Sequence, residues 1–95
     1  MDDAPPYTIV YEYQASRFLD HLEVSQPKTF QRIEDEIHHL AFIKSSPKLK
    51  ALTGKYKGLL RLRIGREYRA MLYFDHPSGK LYVVAIEHRK DVYRP

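Results

Sequence analysis

The chain has 95 residues, of which 43% are hydrophobic, 29% are charged and none is cysteine. This length predicts a single domain, because two smaller pieces could not each bury a core, and the absence of cysteine excludes a disulfide scaffold. Residues 1–47 carry eight acidic and four basic side chains, a balance of −4, whereas residues 48–95 carry four acidic and twelve basic ones, a balance of +8. The basic half favours an anionic partner, although a solvated face without a role would have the same charge.

The ends of the chain and its hydropathy bear on its location. The opening "MDDAPPY" is acidic and contains proline, unlike the basic and apolar start of a signal peptide. No run of about 18 apolar residues occurs, so no membrane span is predicted. We therefore expect a cytoplasmic protein, with residues 1–6 forming a disordered tail and residues 7–95 a single domain.

The first half of the chain predicts one strand and two helices. Residues 7–13, "YTIVYEY", are rich in β-branched and aromatic residues, as strands are. Ser25 is the expected N-cap of the second helix and Pro27 lies in its first turn. Apolar residues recur at helical spacing in both helices: Ala15, Phe18, Leu19 and Leu22 in the first, and Phe30, Ile33, Ile37, Leu40 and Ala41 in the second. Their short connection predicts an antiparallel helix hairpin.

The second half predicts three strands after a basic loop. The strands are expected at residues 59–64, 67–74 and 81–87, and "DHPSG" between the last two is a turn sequence. The predicted fold is therefore α+β with the order β-α-α-β-β-β. In this fold the helix hairpin packs on one face of a mostly antiparallel four-stranded sheet.

The register of the first two of these strands decides which face of the sheet their arginines take. Side chains alternate between the two faces of a strand, so the length of the connection decides which residues are neighbours. A three-residue connection at residues 65–67 pairs Arg63 with Arg69 and Arg61 with Met71, which gives one apolar and one basic face. A two-residue connection would mix apolar and basic side chains on both faces. We therefore predict the three-residue connection.

Three arginines on one face of a sheet predict a partner that carries many negative charges. Like charges directly opposite each other destabilise a sheet. The nearby carboxylates, Glu67 and Glu87, are too few to neutralise this face. Because the planar guanidinium grips phosphate oxygens with two hydrogen bonds, the pattern favours a nucleic acid.

Two segments, "GLLRLRIGREYRAMLYF" and "LYVVAIEHRKDVY", carry a family likeness. They resemble the RelE/ParE toxin superfamily, on the RelE side: a strand with alternating basic residues, a glycine turn, a Tyr-Arg pair opening the next strand, and a closing His-Arg followed by Val-Tyr. The resemblance implies a metal-independent endoribonuclease without a cofactor, the toxin of a type II toxin–antitoxin system. Such a toxin cuts mRNA on the ribosome by attack of a 2′-hydroxyl on the adjacent phosphate. The implied partners are the ribosome, mRNA and an antitoxin with an acidic amphipathic segment, in a hetero-oligomer with the toxin.

The resemblance also implies roles for individual residues. Arg69 matches the arginine that stabilises the scissile phosphate, Arg89 the second catalytic arginine, and Tyr93 the tyrosine that stacks on or orients a base. Arg61 and Arg63 stand where several family members have lysines. We expect both to bind phosphate, but arginine is a poor proton donor because a guanidinium holds its proton far above physiological pH.

Other residues near the expected site admit two interpretations. His88 is of a residue type that can accept the proton of the attacking 2′-hydroxyl near neutral pH, or it faces the core beside Ile86. The lysines of "KLKALTGKYKG" are expected to bind the RNA backbone, or they belong to a solvated loop: Lys48, Lys50, Lys55 and Lys57.

Two further alternatives concern metals and function. Glu34 with His38, and Asp35 with His39, have a spacing that could hold a divalent ion, but a third ligand is missing, and no metal site is predicted. The alternative functions are a DNA gyrase inhibitor of the ParE type with the same fold, and a non-catalytic RNA-binding module.

Overall fold

The computed structural model describes residues 5–89. The N-terminal tail predicted at residues 1–6 lies mostly outside this range, as does Tyr93. The elements in chain order are β1 (Thr8–Tyr11), α1 (Tyr13–Ser25), α2 (Pro27–Ile43), β2 (Leu49–Ala51), a 3₁₀ turn (Gly54–Tyr56), β3 (Leu60–Ile64), β4 (Tyr68–Asp75) and β5 (Lys80–His88). No helix in the described part of the chain is long and apolar enough to cross a membrane.

The sheet has five strands in the order β1-β5-β4-β3-β2, so the predicted count of four was wrong. The additional strand, β2, lies in the segment predicted to be a basic loop and pairs antiparallel with β3, with Leu49 opposite Leu62. Three residues are too few to show an alternating pattern, which is why the sequence did not reveal this strand. The remaining pairs are antiparallel except β1 with β5, which is parallel, so the predicted mostly antiparallel sheet is confirmed.

The helix hairpin covers one face of the sheet, as predicted. The buried residues are Ala15, Leu19 and Leu22 in α1, and Ile33, Ile37, Leu40 and Ala41 in α2. Pro27 is the first residue of α2, where a proline loses no hydrogen bond. Ser25 is not the N-cap, however, because it is the last residue of α1 and its hydroxyl donates to the His21 carbonyl at 2.9 Å. The N-cap position of α2 is Gln26, one residue later.

The register of β3 and β4 follows the three-residue connection. Ile64 pairs with Tyr68, Arg63 with Arg69 and Arg61 with Met71, which confirms the prediction. The connection begins at Gly65, whose φ of 60° lies in the left-handed region that favours glycine. The face toward the helices is fully buried at Leu62, Ile64, Ala70 and Leu72, and the arginines lie on the outer face.

A β-bulge interrupts the pairing of β4 with β5. Met71 pairs with Ala85 and Leu72 with Val83, which leaves Val84 as the extra residue. Because one residue is inserted, the inward positions of β5 change from odd to even numbers beyond the bulge. Glu87 therefore shares the outer face with its partner Arg69, and His88 shares the inner face with its partner Tyr68.

Candidate nucleic-acid interface

Four arginines line a depression of about 330 Å³ at one end of the outer face: Arg63, Arg66, Arg69 and Arg89. Arg63 and Arg69 are there because they are directly opposite each other in β3 and β4. Arg66 is in the turn between these strands. The backbone N–H of Arg89 donates to the Glu67 carbonyl at 2.5 Å, which brings the end of β5 to the same turn. We call this set the arginine cluster.

The arginine cluster is electrostatically suited to a polyanion. Each guanidinium stays charged at all physiological pH values, and like charges opposite each other, such as Arg63 and Arg69, destabilise the pair of strands. Glu87 faces Arg69 across β4 and β5, but among residues 5–89 only arginines line the depression itself. Its chemistry is therefore that of a site for several oxygens of one or more phosphates.

A second depression of about 580 Å³ extends the basic surface toward the edge of the sheet. It shares Arg63 and Arg66 with the arginine cluster and adds Arg61 and Lys50, which are opposite each other in β3 and β2. The Nε of Arg61 is buried and has no hydrogen-bond partner among the described residues. Sequence analysis assigned no role to Arg66, whereas Lys50 is one of the loop lysines expected to bind the RNA backbone. Only the pairing of β2 with β3 shows which face Lys50 takes.

Lys48 and Lys50 line the second depression, but the other two loop lysines expected to bind RNA are not in either depression. Lys55 and Lys57 are exposed in and after the 3₁₀ turn, and the Lys55 ammonium lies 5.1 Å from the centre of the Tyr56 ring. The structure does not bring them together with the arginine cluster. Their contact with RNA stays a prediction.

His88 is on the face of the sheet opposite to Arg69. Its ring packs edge-on against Tyr68, with the ring centres 5.1 Å apart, and its Nε2 lies 3.4 Å from a carboxylate oxygen of Glu67. Burial, followed by the charge of Glu67, raises the pKa of Tyr68 above its ordinary value, and Arg32 opposes this shift. The interpretation in which His88 faces the core side beside Ile86 therefore agrees with its position.

Of the carboxylates in the candidate metal pairs on α2, Glu34 is already held by a hydrogen bond. Glu34 accepts a hydrogen bond of 2.7 Å from the Tyr11 hydroxyl and lies 3.8 Å from His38. Within residues 5–89, no group of three histidine, aspartate or glutamate side chains is close enough to hold a metal ion.

The outer face also carries a pair of aromatic rings beyond the arginine cluster. Tyr73 and Tyr82 are partners in β4 and β5, and their rings are stacked with centres 5.0 Å apart and planes 15° apart. Sequence analysis gave this pair no role, because the pairing of β4 with β5 was not predicted residue by residue.

The helix hairpin packed on a mixed sheet is a fold shared with solved structures of toxins, and the predicted resemblance is confirmed at the level of the fold. A chain of the RelBE2 toxin–antitoxin complex from Mycobacterium tuberculosis superposes with a TM-score of 0.74 at 22% identity, over 90% of this chain and 100% of the other. The YoeB/ParE toxin from Agrobacterium tumefaciens gives 0.71 at 17% identity, over 86% and 98% of the two chains.

YafQ from Escherichia coli superposes with a TM-score of 0.68 at 14% identity, over 93% of this chain and 99% of the YafQ chain. Likeness at these identities is likeness of fold. No protein-family model matches the sequence, and no curated protein matches it.

Proposed function

We propose that this chain is the toxin of a type II toxin–antitoxin system and an endoribonuclease that cuts mRNA on the ribosome. The arginine cluster carries the proposal, because it places four permanent cations on the open face of a fold shared with the toxins described above. The exposed sheet face is also where an antitoxin with an acidic amphipathic segment would neutralise the toxin.

In the proposed reaction, a ribose 2′-oxygen attacks the adjacent phosphorus and the bond to the 5′-oxygen of the next nucleotide breaks. The products are a 2′,3′-cyclic phosphate and a free 5′-hydroxyl. Negative charge accumulates on the non-bridging oxygens in the transition state, and preorganised cations directed at them lower the barrier. Arg63 and Arg69, which are opposite each other, and Arg89 are suited to this role.

Arginines cannot carry out the two proton transfers that this reaction needs. The 2′-hydroxyl must lose a proton and the leaving 5′-oxygen must gain one, and the guanidinium pKa is far above physiological pH. His88 would have to act from the inner face of the sheet, at its edge, where its Nε2 lies 3.4 Å from the Glu67 carboxylate. A proton-acceptor role for His88 and base stacking by Tyr93 therefore remain parts of the proposal that need their own variants.

The proposal is tested by single-turnover cleavage of mRNA on programmed ribosomes, with the 5′ ends mapped. The parent should cleave. Arg69→Ala should cleave about 10²–10³-fold more slowly while ribosome binding changes little, because Arg69 neutralises charge that develops in the transition state. Arg69→Lys should recover part of the rate, since an ammonium cannot bridge two phosphate oxygens.

The matched control is Arg17→Ala, an exposed arginine of α1 whose guanidinium lies 5.9 Å from the centre of the Tyr13 ring. It should cleave at the parental rate. If the parent leaves mRNA intact on ribosomes and instead blocks DNA supercoiling by gyrase, the ParE-type function replaces the one proposed.

A further inference from the structure

The stacked pair Tyr73 and Tyr82 lies on the outer face of the sheet, to which neither described helix contributes cover. Both residues are half-buried, so part of each side chain is open to solvent. Their rings are stacked on each other with planes 15° apart, which leaves the second face of each ring directed away from its partner. An aromatic pair of this kind on an open sheet offers flat surfaces to a flat ligand.

The tyrosine pair is continuous with the arginine cluster along one strand. Arg69, Met71 and Tyr73 are alternate residues of β4 and therefore point to the same face. Four residues of a strand span about 13 Å. A single-stranded nucleic acid that places phosphates on Arg69 thus has bases within reach of Tyr73 a few nucleotides away.

The charges around the tyrosines differ from those of the arginine cluster. Burial raises the pKa of Tyr73 above its ordinary value, and the nearby charges of Glu12 and Asp75 raise it further, so its hydroxyl remains a donor. Carboxylates repel phosphate, but they accept hydrogen bonds from the exocyclic amino groups of bases. Lys80 is the strand partner of Asp75 and offsets part of this charge, so these carboxylates serve mainly as hydrogen-bond acceptors for base edges.

We infer that Tyr73 and Tyr82 form a base-stacking site for single-stranded RNA whose phosphates lie on the arginine cluster. The inference rests on the proposed function for the choice of RNA as the ligand. Single strands are favoured over duplexes because the bases of a duplex are already stacked and their faces are not available to side chains. The site would make binding depend on the bases as well as on charge.

The test compares two probes of equal length and charge: a single-stranded RNA of eight nucleotides, and an abasic oligonucleotide with the same number of phosphates. Tyr82→Ala and Tyr73→Ala should each weaken binding of the RNA about 5- to 140-fold, the range for one lost base stack. Both should bind the abasic probe as the parent does. Arg63→Ala should weaken binding of both probes.

Two further variants separate stacking from folding. Tyr82→Phe keeps the ring and should bind RNA nearly as the parent does, whereas Tyr82→Leu keeps apolar bulk without a ring and should resemble Tyr82→Ala. Tyr13→Ala, at a tyrosine that is 78% exposed on α1, is the control for loss of a surface tyrosine and should change neither probe's affinity.

The outcomes separate this inference from the proposed function. Parental RNA affinity in Tyr73→Ala and Tyr82→Ala would overturn the stacking site, whether or not the parent cleaves mRNA. If these variants bind RNA normally but fail to form a complex with the protein encoded beside this chain, the face belongs to a protein partner and the inference is wrong. A parent that binds RNA in a base-dependent way but never cleaves would overturn the proposed function and support the stacking site.

Discussion

At the scale of single residues, Arg32 and Gly65 connect the helix layer to the arginine cluster. The guanidinium of Arg32, in α2, lies directly against Gly65, where the turn between β3 and β4 begins. A Cβ atom built on Gly65 would lie 1.7 Å from Nη2 of Arg32, and the φ of Gly65 is in the left-handed region. The glycine therefore allows both the turn and the close approach of a side chain that packs behind it.

Alanine at this glycine should cost more stability than left-handed strain alone. Gly54 is the matched control, because it has a φ of 65° and nothing within 4 Å of a built Cβ. Gly54→Ala should lose about 1–2 kcal/mol of unfolding free energy in urea denaturation, from strain only. Gly65→Ala should lose slightly more, because the flexible end of the Arg32 side chain must also move.

The double-mutant comparison identifies the cause. In an Arg32→Ala background the excess cost of Gly65→Ala over Gly54→Ala should disappear. If the excess persists without Arg32, the backbone of the turn is responsible and not the packed guanidinium.

At the scale of elements, a hydrogen bond joins the edge strand β1 to α2. The Tyr11 hydroxyl donates to a carboxylate oxygen of Glu34 at 2.7 Å, and the tyrosine is half-buried. Burial raises the pKa of Tyr11 far above its ordinary value near 10, and the hydrogen bond and charge of Glu34 raise it further. The protonated tyrosine is therefore part of what holds the strand against the helix.

This raised pKa predicts a loss of stability at alkaline pH. Because the folded pKa exceeds the unfolded one, the contribution of Tyr11 is fully present below about pH 10 and is lost as the pH rises further. Urea denaturation of the parent and of Tyr11→Phe should show a smaller loss between pH 7 and about pH 10.5 in the variant, which has no hydroxyl to titrate. At pH 7 Tyr11→Phe should cost about 0.5–1.5 kcal/mol for the lost hydrogen bond.

The control is Tyr13→Phe, at a tyrosine that is 78% exposed, and it should keep the alkaline loss of the parent. Equal alkaline losses in the parent and Tyr11→Phe would show that the tie between β1 and α2 does not depend on this proton.

Elements with a strong internal pattern could be predicted, and those that depend on tertiary pairing could not. The register of Arg63 with Arg69 followed from parity, because only an odd connection separates apolar from charged side chains. The strand β2 has three residues and no pattern of its own; it exists because β3 offers an edge. The bulge at Val84 likewise follows from pairing, and it alone decides that His88 turns away from Arg69.

At the scale of the whole molecule, the charge difference between the two halves of the sequence becomes a difference between two layers. The acidic first half forms the helix hairpin and the edge strand β1, and the basic second half forms the other four strands, whose outer face carries the arginine cluster. A molecule polarised in this way presents its sheet, and not its helices, to an approaching polyanion. RNA affinity that arises from this surface should depend strongly on salt.

The salt dependence should be set by the arginines of the outer face. Each phosphate contact to single-stranded RNA contributes about 0.7 to the slope of log affinity against log salt. Arg61→Ala and Arg63→Ala should therefore each flatten the slope by about that amount, and the double variant by about 1.4 if each arginine meets a separate phosphate. Neither side chain is in the apolar core, so the folded fraction should be unchanged.

Arg17→Ala, on the helix layer, is the control and should keep the parental slope. Affinities measured from about 50 to 200 mM salt decide the matter, and parental slopes in all three single variants would mean that the outer face does not bind phosphate.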